Sequence, residues 1–224
     1  MKILGIILAR SGSKRIPYKN INFLGNLRLF EWTLNQCKNI EFINDFIVST
    51  NDKLIFEKSK KNNFITPWLR PKKLCTDNAT SYSACVHALR WYEKKIQIID
   101  AIFLFQVTSP FRSKKNILDG IKTFIKFKKP VLSVAEVLNN NLQNEKKIFT
   151  INNKNITFKR DKNYQTKKKF RATGSIYIWP KELLLRDKSF KLERAYPLII
   201  NNKKESLDID TKKDWKIAET YLKK

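Results

Sequence analysis

Glycine is scarce in this 224-residue sequence, with five in all, and neither glycine pattern that most often marks a phosphate loop is present. The absence of G-x-x-x-x-G-K-[ST] and of G-x-G-x-x-G removes the main support for a Walker ATPase and for a Rossmann dinucleotide enzyme. Histidine is limited to His87, inside a helix-like stretch, so no Ser-His-Asp or Cys-His set can be assembled. The three cysteines, Cys37, Cys75 and Cys85, are odd in number and lack C-x-x-C spacing, which suggests neither a disulfide framework nor a zinc site. No apolar run approaches the ~20 residues that span a bilayer, and residues 2–9 have neither the length nor the cleavage site of a signal peptide. A cytoplasmic protein without a membrane association is expected.

Acidic residues are also few, 20 against 46 lysines and arginines, for a net charge of +26. Such an excess is the usual footprint of a nucleic-acid binder. Its distribution argues against that partner: lysine pairs recur along the whole chain (Lys60-Lys61, Lys94-Lys95, Lys128-Lys129, Lys203-Lys204) and form no single block interleaved with aromatics. The same field would attract polyanionic small molecules. A hydrophobic fraction of 42% with 12% aromatic excludes a disordered chain.

What is present begins at the amino terminus. The apolar run Lys2 to Leu8 reads as a buried strand, and Ala9-Arg10-Ser11-Gly12-Ser13-Lys14-Arg15-Ile16-Pro17-Tyr18-Lys19-Asn20 follows it as a small-residue, cationic loop. Open α/β sheets place ligands at such strand ends. Ser11, Gly12 and Ser13 allow backbone N–H groups close approach to oxygens, while Arg10, Lys14, Arg15 and Lys19 offset charge, a chemistry suited to a nucleoside triphosphate.

Strand-like and helix-like runs then alternate: a helix over 29–39, a strand over 45–50, and a helix capped by Asn51 or Asp52 that runs to about Lys61. A helix over 80–95, a strand over 101–106, a helix from Ser113 and a strand over 131–135 complete the series. The helix from Ser113 carries an apolar stripe of Ile117, Leu118, Ile121, Phe124 and Ile125. This alternation predicts an α/β fold, a Rossmann-like and mostly parallel sheet with helices on both faces. Residues 138–172 are polar and broken into short strand-like pieces (147–151 and 156–159), read as a small excursion that packs against a second subunit. Residues 174–179 return to strand, 195–200 read as an edge strand because of Pro197, and Thr211-x-x-Asp214 opens a last helix. The expected organisation is one nucleotidyltransferase domain over 1–224, with 137–172 an inserted dimerisation or substrate lobe.

Three further segments carry chemistry. Asp208 and Asp210 flank one residue, so they suit Mg2+ as two hard oxygen ligands, or else Asp210 caps the helix and Asp208 is solvated. Arg70-Pro71 and Leu74 to Ser81 lead into a helix N-terminus capped by Thr80 or Ser81; Arg70 offers paired donors to a base carbonyl or is a surface arginine stiffened by Pro71. Gln106-Val107-Thr108-Ser109-Pro110-Phe111-Arg112 holds a polyhydroxylated substrate with Gln106, its hydroxyls and Arg112, or is an ordinary strand-to-helix turn.

In order, A-R-S-G-S-K-R-I-P-x-K-N, R-P-x-x-L-x-x-D-x-A-T-S, Q-V-T-S-P-F-R, F-R-x-x-G-S-I-Y-I and D-I-D-T-x-x-D-W resemble the acylneuraminate cytidylyltransferases over nearly the whole chain. The resemblance implies that CTP and an acidic nonulosonic sugar give CMP-sugar and pyrophosphate in a homodimer. It implies a nucleotide site of Arg10, Ser11, Gly12, Ser13, Lys14, Lys19, Asn20, Arg70, Asp77, Ala79 and Ser81. Gln106, Thr108, Ser109, Arg171 and Tyr177 would face the sugar, Asp208 and Asp210 would hold Mg2+, and Arg10, Lys14 and Asp210 would carry catalysis. Thr173-Gly174-Ser175 and Lys167-Lys168-Lys169 depart from the family's usual pattern near the sugar, so N-acetylneuraminate, legionaminate and pseudaminate stay open as substrates. A Kdo-using relative and a basic RNA-binding protein are the alternatives.

Overall fold

The computed structural model describes residues 1–137, 148–152, 154–157 and 168–223. The opening apolar run forms β1 (Ile3–Ala9), which is buried along most of its length and sits between β4 (Asp45–Thr50) and β5 (Ala101–Gln106), parallel to both. Strands covered on both faces need continuous apolar sequence, which is what Ile3 to Ala9 and Ala101 to Phe105 supply. A short antiparallel hairpin, β2 (Phe23–Leu24) and β3 (Leu27–Arg28), leads into α1 (Leu29–Gln36), shorter at its carboxyl end than the predicted 29–39.

The helices begin where their caps dictate. Asp52 accepts from Leu54 and Ile55 N–H groups to start α2 (Lys53–Lys61), Thr80 accepts from Ser83 N–H to start α3 (Ser81–Lys95), and Ser113 accepts from Asn116 N–H to start α4 (Lys114–Phe127). Ile117, Ile121 and Phe124 of α4 face the core as predicted, but Ile125 is 41% exposed, because the buried stripe is too narrow to include it. β6 (Val131–Glu136) follows and lies parallel to β10 (Tyr196–Ile199), the edge strand that carries Pro197.

After β6 the chain makes a second hairpin, β7 (Ile148–Asn152) and β8 (Asn155–Thr157), and then enters β9 (Phe170–Pro180). The remaining ends of the predicted excursion, over 138–147 and 158–167 and so including Lys167 of the basic run, lie outside the described residues. β9 is antiparallel to both its neighbours, giving the order β10-β6-β9-β5-β1-β4. Among the described residues between β6 and β9 there is no helix, only the β7–β8 hairpin, whereas a parallel return needs a crossover of a dozen or more residues, usually helical. One consequence is central to the site: the amino-terminal half of β9 lies at the carboxyl edge of β5 and β6. α5 (Lys181–Asp187), which the sequence pattern did not reveal, and α6 (Lys212–Thr220) complete the described helices, the last with a reciprocal Thr211/Asp214 capping box.

Two cores result. Ile3 and Ile7 of β1, Phe103 and Phe105 of β5, and Ile176 and Ile178 of β9 pack under α1, α2 and α4. On the other face Leu4, Ile6, Ile102, Leu104 and Trp179 pack under α3 and α5, joined by Phe149 and Ile156 of the β7–β8 hairpin. Cys37 is buried in the first of these two larger clusters and Cys85 in the second. Gly5, between Ile3 and Ile7 on the first of these faces, leaves room for Phe46 of the adjacent strand, which packs against that core: a Cβ there would sit 2.3 Å from the ring. Among the described residues, no helix is long and apolar enough to cross a membrane.

Gly5→Ala is therefore expected to lower stability by about 1–3 kcal/mol through overpacking of a central strand. Denaturant unfolding checks this, and a midpoint equal to that of the parent would show that Phe46 moves aside at no cost.

Candidate active site

The carboxyl ends of β1, β4 and β5 open onto a cleft of about 220 Å³ lined by Leu8, Arg10, Arg70, Leu74, Ala79, Thr80, Ser81, Ala84, Gln106, Val107 and Thr108. This is the strand edge at which parallel sheets bind ligands. The loop after β1 forms one wall. Ser11 N–H donates to Asn51 Oδ1 at 2.9 Å and Asn51 Nδ2 donates back to Ser11 Oγ at 2.8 Å, so the end of β4 clasps the loop. Only Asp52 caps α2; Asn51, read from sequence as a second candidate cap, does this other work.

Each cation of the loop meets an oxygen. Arg10 donates to Thr76 O at 2.9 Å and Cys75 O at 3.3 Å and lies 3.2 Å from Asp77 Oδ1, while Lys14 Nζ lies 2.8 Å from Asp77 Oδ2. Arg15 Nη1 is 3.0 Å from Asp210 Oδ2, and the buried Lys19 Nζ donates to Ile209 O at 2.6 Å and Asp210 Oδ1 at 3.2 Å. Asn20, also buried, donates from Nδ2 to Arg10 O at 2.7 Å. Tyr18 sits in the left-handed region at φ 54°, and this tight bend lets Lys19 and Asn20 turn inward while Gly12 and Lys14 stay exposed.

Arg70 is buried, so the surface-arginine reading fails. Its Nε donates to Ser49 Oγ at 2.9 Å and its Nη2 donates to Ser49 O, so one edge of the guanidinium is engaged at the end of β4 while Arg70 also lines the cleft. Burial pulls its pKa below the ordinary arginine value. Thr80 alone caps α3, leaving Ser81 exposed at the cleft beside Ala79.

On the opposite wall the residues divide. Gln106 and Thr108 line the cleft, Gln106 with its side chain hydrogen-bonded to Tyr177 and Thr108 with its side chain on Asp208. Ser109 is fully buried and donates to Thr173 O at 3.1 Å. Arg112, expected from sequence to hold substrate, is turned inward: it donates to Ser175 O at 2.6 Å, Gln36 Oε1 at 2.8 Å and Gln106 O at 3.0 Å. The physical reason is that the carboxyl end of β5 and the inserted β9 leave carbonyls that a buried guanidinium satisfies. Arg171, near the start of β9, donates to Ser206 O at 3.3 Å and so joins β9 to the Asp208 segment.

Asp208 and Asp210 differ sharply. Asp210 has its carboxyl held below the usual range, because attraction from Lys19 and Arg15 outweighs the opposing effect of burial. Asp208 is pushed up to about 6, first by burial and further by the neighbouring Asp210 charge. Its Oδ1 is buried without a hydrogen-bond partner. Gly174, at φ +74°, lies against it: a Cβ there would be 2.8 Å from Ser109 Oγ and 3.2 Å from Asp208 Oδ2. Thr211, not Asp210, caps α6, so the pair's alternative reading as a cap and a solvated neighbour does not describe this geometry. Among the described residues no cluster of three acidic, histidine or cysteine side chains forms a metal cage.

A sequence profile described as cytidylyltransferase matches residues 4–223. The chain belongs to the cytidylyltransferase family. The CMP-N,N'-diacetyllegionaminic acid synthase of Legionella pneumophila is 30% identical to it, over 99% of this chain and 97% of that one. A pseudaminic acid cytidylyltransferase of Campylobacter jejuni is 28% identical over 100% and 97%. An N-acylneuraminate cytidylyltransferase of Escherichia coli is 29% identical over the whole chain but only 52% of its own length. Among solved structures, a CMP:2-keto-3-deoxy-manno-octonic acid synthetase complexed with CTP superposes with a TM-score of 0.77 at 11% identity and shares the fold. This cytidylyltransferase is thus a nucleotidyltransferase enzyme of mixed α/β fold.

The raised pKa of Asp208 has a stability cost. The unfolded chain holds this carboxyl near 3.8, so its ionisation weakens the folded state progressively from about pH 4 up through pH 6. In chelator, Asp208→Asn is expected to stabilise the cytidylyltransferase by roughly 2–3 kcal/mol at pH 8, with the gain fading below pH 5. Urea denaturation of both proteins across this range checks it; a pH-independent difference would contradict the burial of the charge.

Proposed function

We propose that this cytidylyltransferase joins CTP to an acidic nonulosonic sugar, releasing pyrophosphate, by in-line attack of the anomeric hydroxyl on the α-phosphorus. The observation that carries the reading is the strand edge around the cleft: Arg10 lines it after β1, Gln106 and Thr108 line it after β5, and Lys19 and Arg15 of the same loop hold Asp210. The relatives named for legionaminic, pseudaminic and N-acylneuraminic acids support the sugar class.

In this reading the backbone of Ser11, Gly12 and Ser13 receives the phosphates, and Arg10 and Lys14 offset their charge. Lys19 and Asn20 hold the loop in place from beneath, as their contacts to Ile209 and Arg10 carbonyls suggest. Arg70, Ala79 and Ser81 accommodate base and ribose. Gln106, Thr108, Arg171 and Tyr177 receive the sugar, with Ser109 placing Thr173 and Gly174 beneath it. Catalysis then comes from orientation and electrostatics without a covalent intermediate.

Asp208 and Asp210 fit a divalent cation, for which the partnerless buried Oδ1 of Asp208 is the structural argument. Two carboxylates leave the remaining coordination positions to water and substrate phosphate, the usual arrangement for Mg2+. Bound there, it would supply Lewis-acid stabilisation of the phosphate oxygens. Homodimerisation through 137–172 belongs to the same proposal and rests on the family resemblance, as does a cytoplasmic location.

Incubation with Mg2+, each ribonucleoside triphosphate and a panel of nonulosonic acids plus Kdo should give sugar-dependent pyrophosphate release with CTP alone. Release only with Kdo would move the substrate to the eight-carbon class, and salt-sensitive RNA retention without CTP binding would replace the reading altogether. Asp210→Ala should lower kcat by about 100-fold or more, and near-normal Mg2+-dependent turnover would remove the metal assignment. Lys14→Ala should raise the KM for CTP by about 10-fold; an unchanged CTP dependence would take Lys14 out of the phosphate site.

A further inference from the structure

The four cations of the loop after β1 are shared between two carboxylates. Asp77 bridges Arg10 and Lys14, at 3.2 and 2.8 Å, and Asp210 bridges Arg15 and Lys19, at 3.0 and 3.2 Å. The two bridges are built differently. Lys19 is buried and also bonded to Ile209 O, so the Asp210 side is anchored in the fold. Asp77 and Lys14 are exposed, with 49% and 80% of their side chains accessible, and no other hydrogen bond is formed by the Asp77 carboxylate among the described residues. Lys14 in particular stabilises the Asp77 anion, holding it below the usual carboxylate range.

We propose that Asp77 is a stand-in for phosphate: its carboxylate holds Arg10 and Lys14 of the loop and is displaced when the triphosphate arrives. The inference rests on the nucleotide reading above and adds an internal competitor to it. A carboxylate and a phosphate oxygen compete for the same donors, and an exposed ion pair is weak enough to be exchanged. The more phosphate oxygens a ligand brings to these donors, the more directly it competes with Asp77, while a nucleoside does not compete at all. Asp77 also ends the Cys75–Thr76 stretch whose carbonyls hold Arg10, and Ala79 to Ser81 of the cleft follow at once in sequence. Its displacement therefore loosens the segment next to the proposed base pocket at the moment phosphate binds. The same competition favours departure of pyrophosphate, because the carboxylate returns to Arg10 and Lys14 as the product leaves.

The test is calorimetric binding of CTP, CMP, cytidine and inorganic pyrophosphate to the parent protein, to Asp77→Asn and to Asp77→Glu. Asp77→Asn should bind CTP and pyrophosphate about 3- to 10-fold more tightly, CMP less so, and cytidine with unchanged affinity. Asp77→Glu should restore the parent values. In a Lys14→Ala background the gain should shrink, because one of the two masked cations is gone. Weaker pyrophosphate binding by Asp77→Asn would make the carboxylate a positioning residue that stays in the loaded site, and equal binding would leave it a surface ion pair; either outcome overturns the proposal. Failure of the parent protein to bind CTP while still binding pyrophosphate would instead count against the nucleotide reading, so the two failures are distinguishable.

Discussion

Lys19 is 7% exposed, and its ammonium reaches Ile209 O and Asp210 across almost the whole length of the sequence. Removing one partner from a buried, hydrogen-bonded charge typically costs about 3–5 kcal/mol, so this contact constrains everything around it. The left-handed turn at Tyr18, the inward Asn20 and the carboxylate of Asp210 are arranged around that cation, and the clasp of Ser11 by Asn51 fixes the other end of the loop. The loop is held from below by these contacts, while Gly12 and Lys14 stay exposed above.

Charge is distributed in the cleft with a clear asymmetry. Asp210 is neutralised by neighbours and remains ionised, whereas Asp208 is buried and destabilised as an anion. A fold built only for stability would not retain the second carboxylate. The glycine at 174, packed against Asp208 in a conformation that other residues rarely adopt, points the same way: the surroundings of that oxygen are tightly specified.

Much of this was legible in the sequence. Apolar runs identified β1 and β5, caps at Asp52, Thr80, Ser113 and Thr211 placed helix starts, and the cationic loop was recognisable from its position after a strand. What failed to show were long-range effects. The antiparallel insertion of β9 depends on pairing with two distant strands, and periodicity carries no strand direction. Arg112 and Arg70 look alike as loop arginines, yet each is drawn inward by carbonyl or hydroxyl groups at strand ends. Asn51 was visible as a polar residue after β4, but a capping role and a clasp on a neighbouring loop share the same sequence signal. α5 is seven residues long, and too short to display a helical period.

The span of the Lys19 contact has a consequence for the protein's birth. Loops that close over so many residues form late, after local elements and nearest-neighbour strands have assembled. On the ribosome, β1, β4 and β5 can pair while the chain is still being made, but the carboxylate wall emerges only after residue 210 has left the exit tunnel. The nascent chain therefore carries Lys19 without its Ile209 and Asp210 partners until synthesis has passed that point.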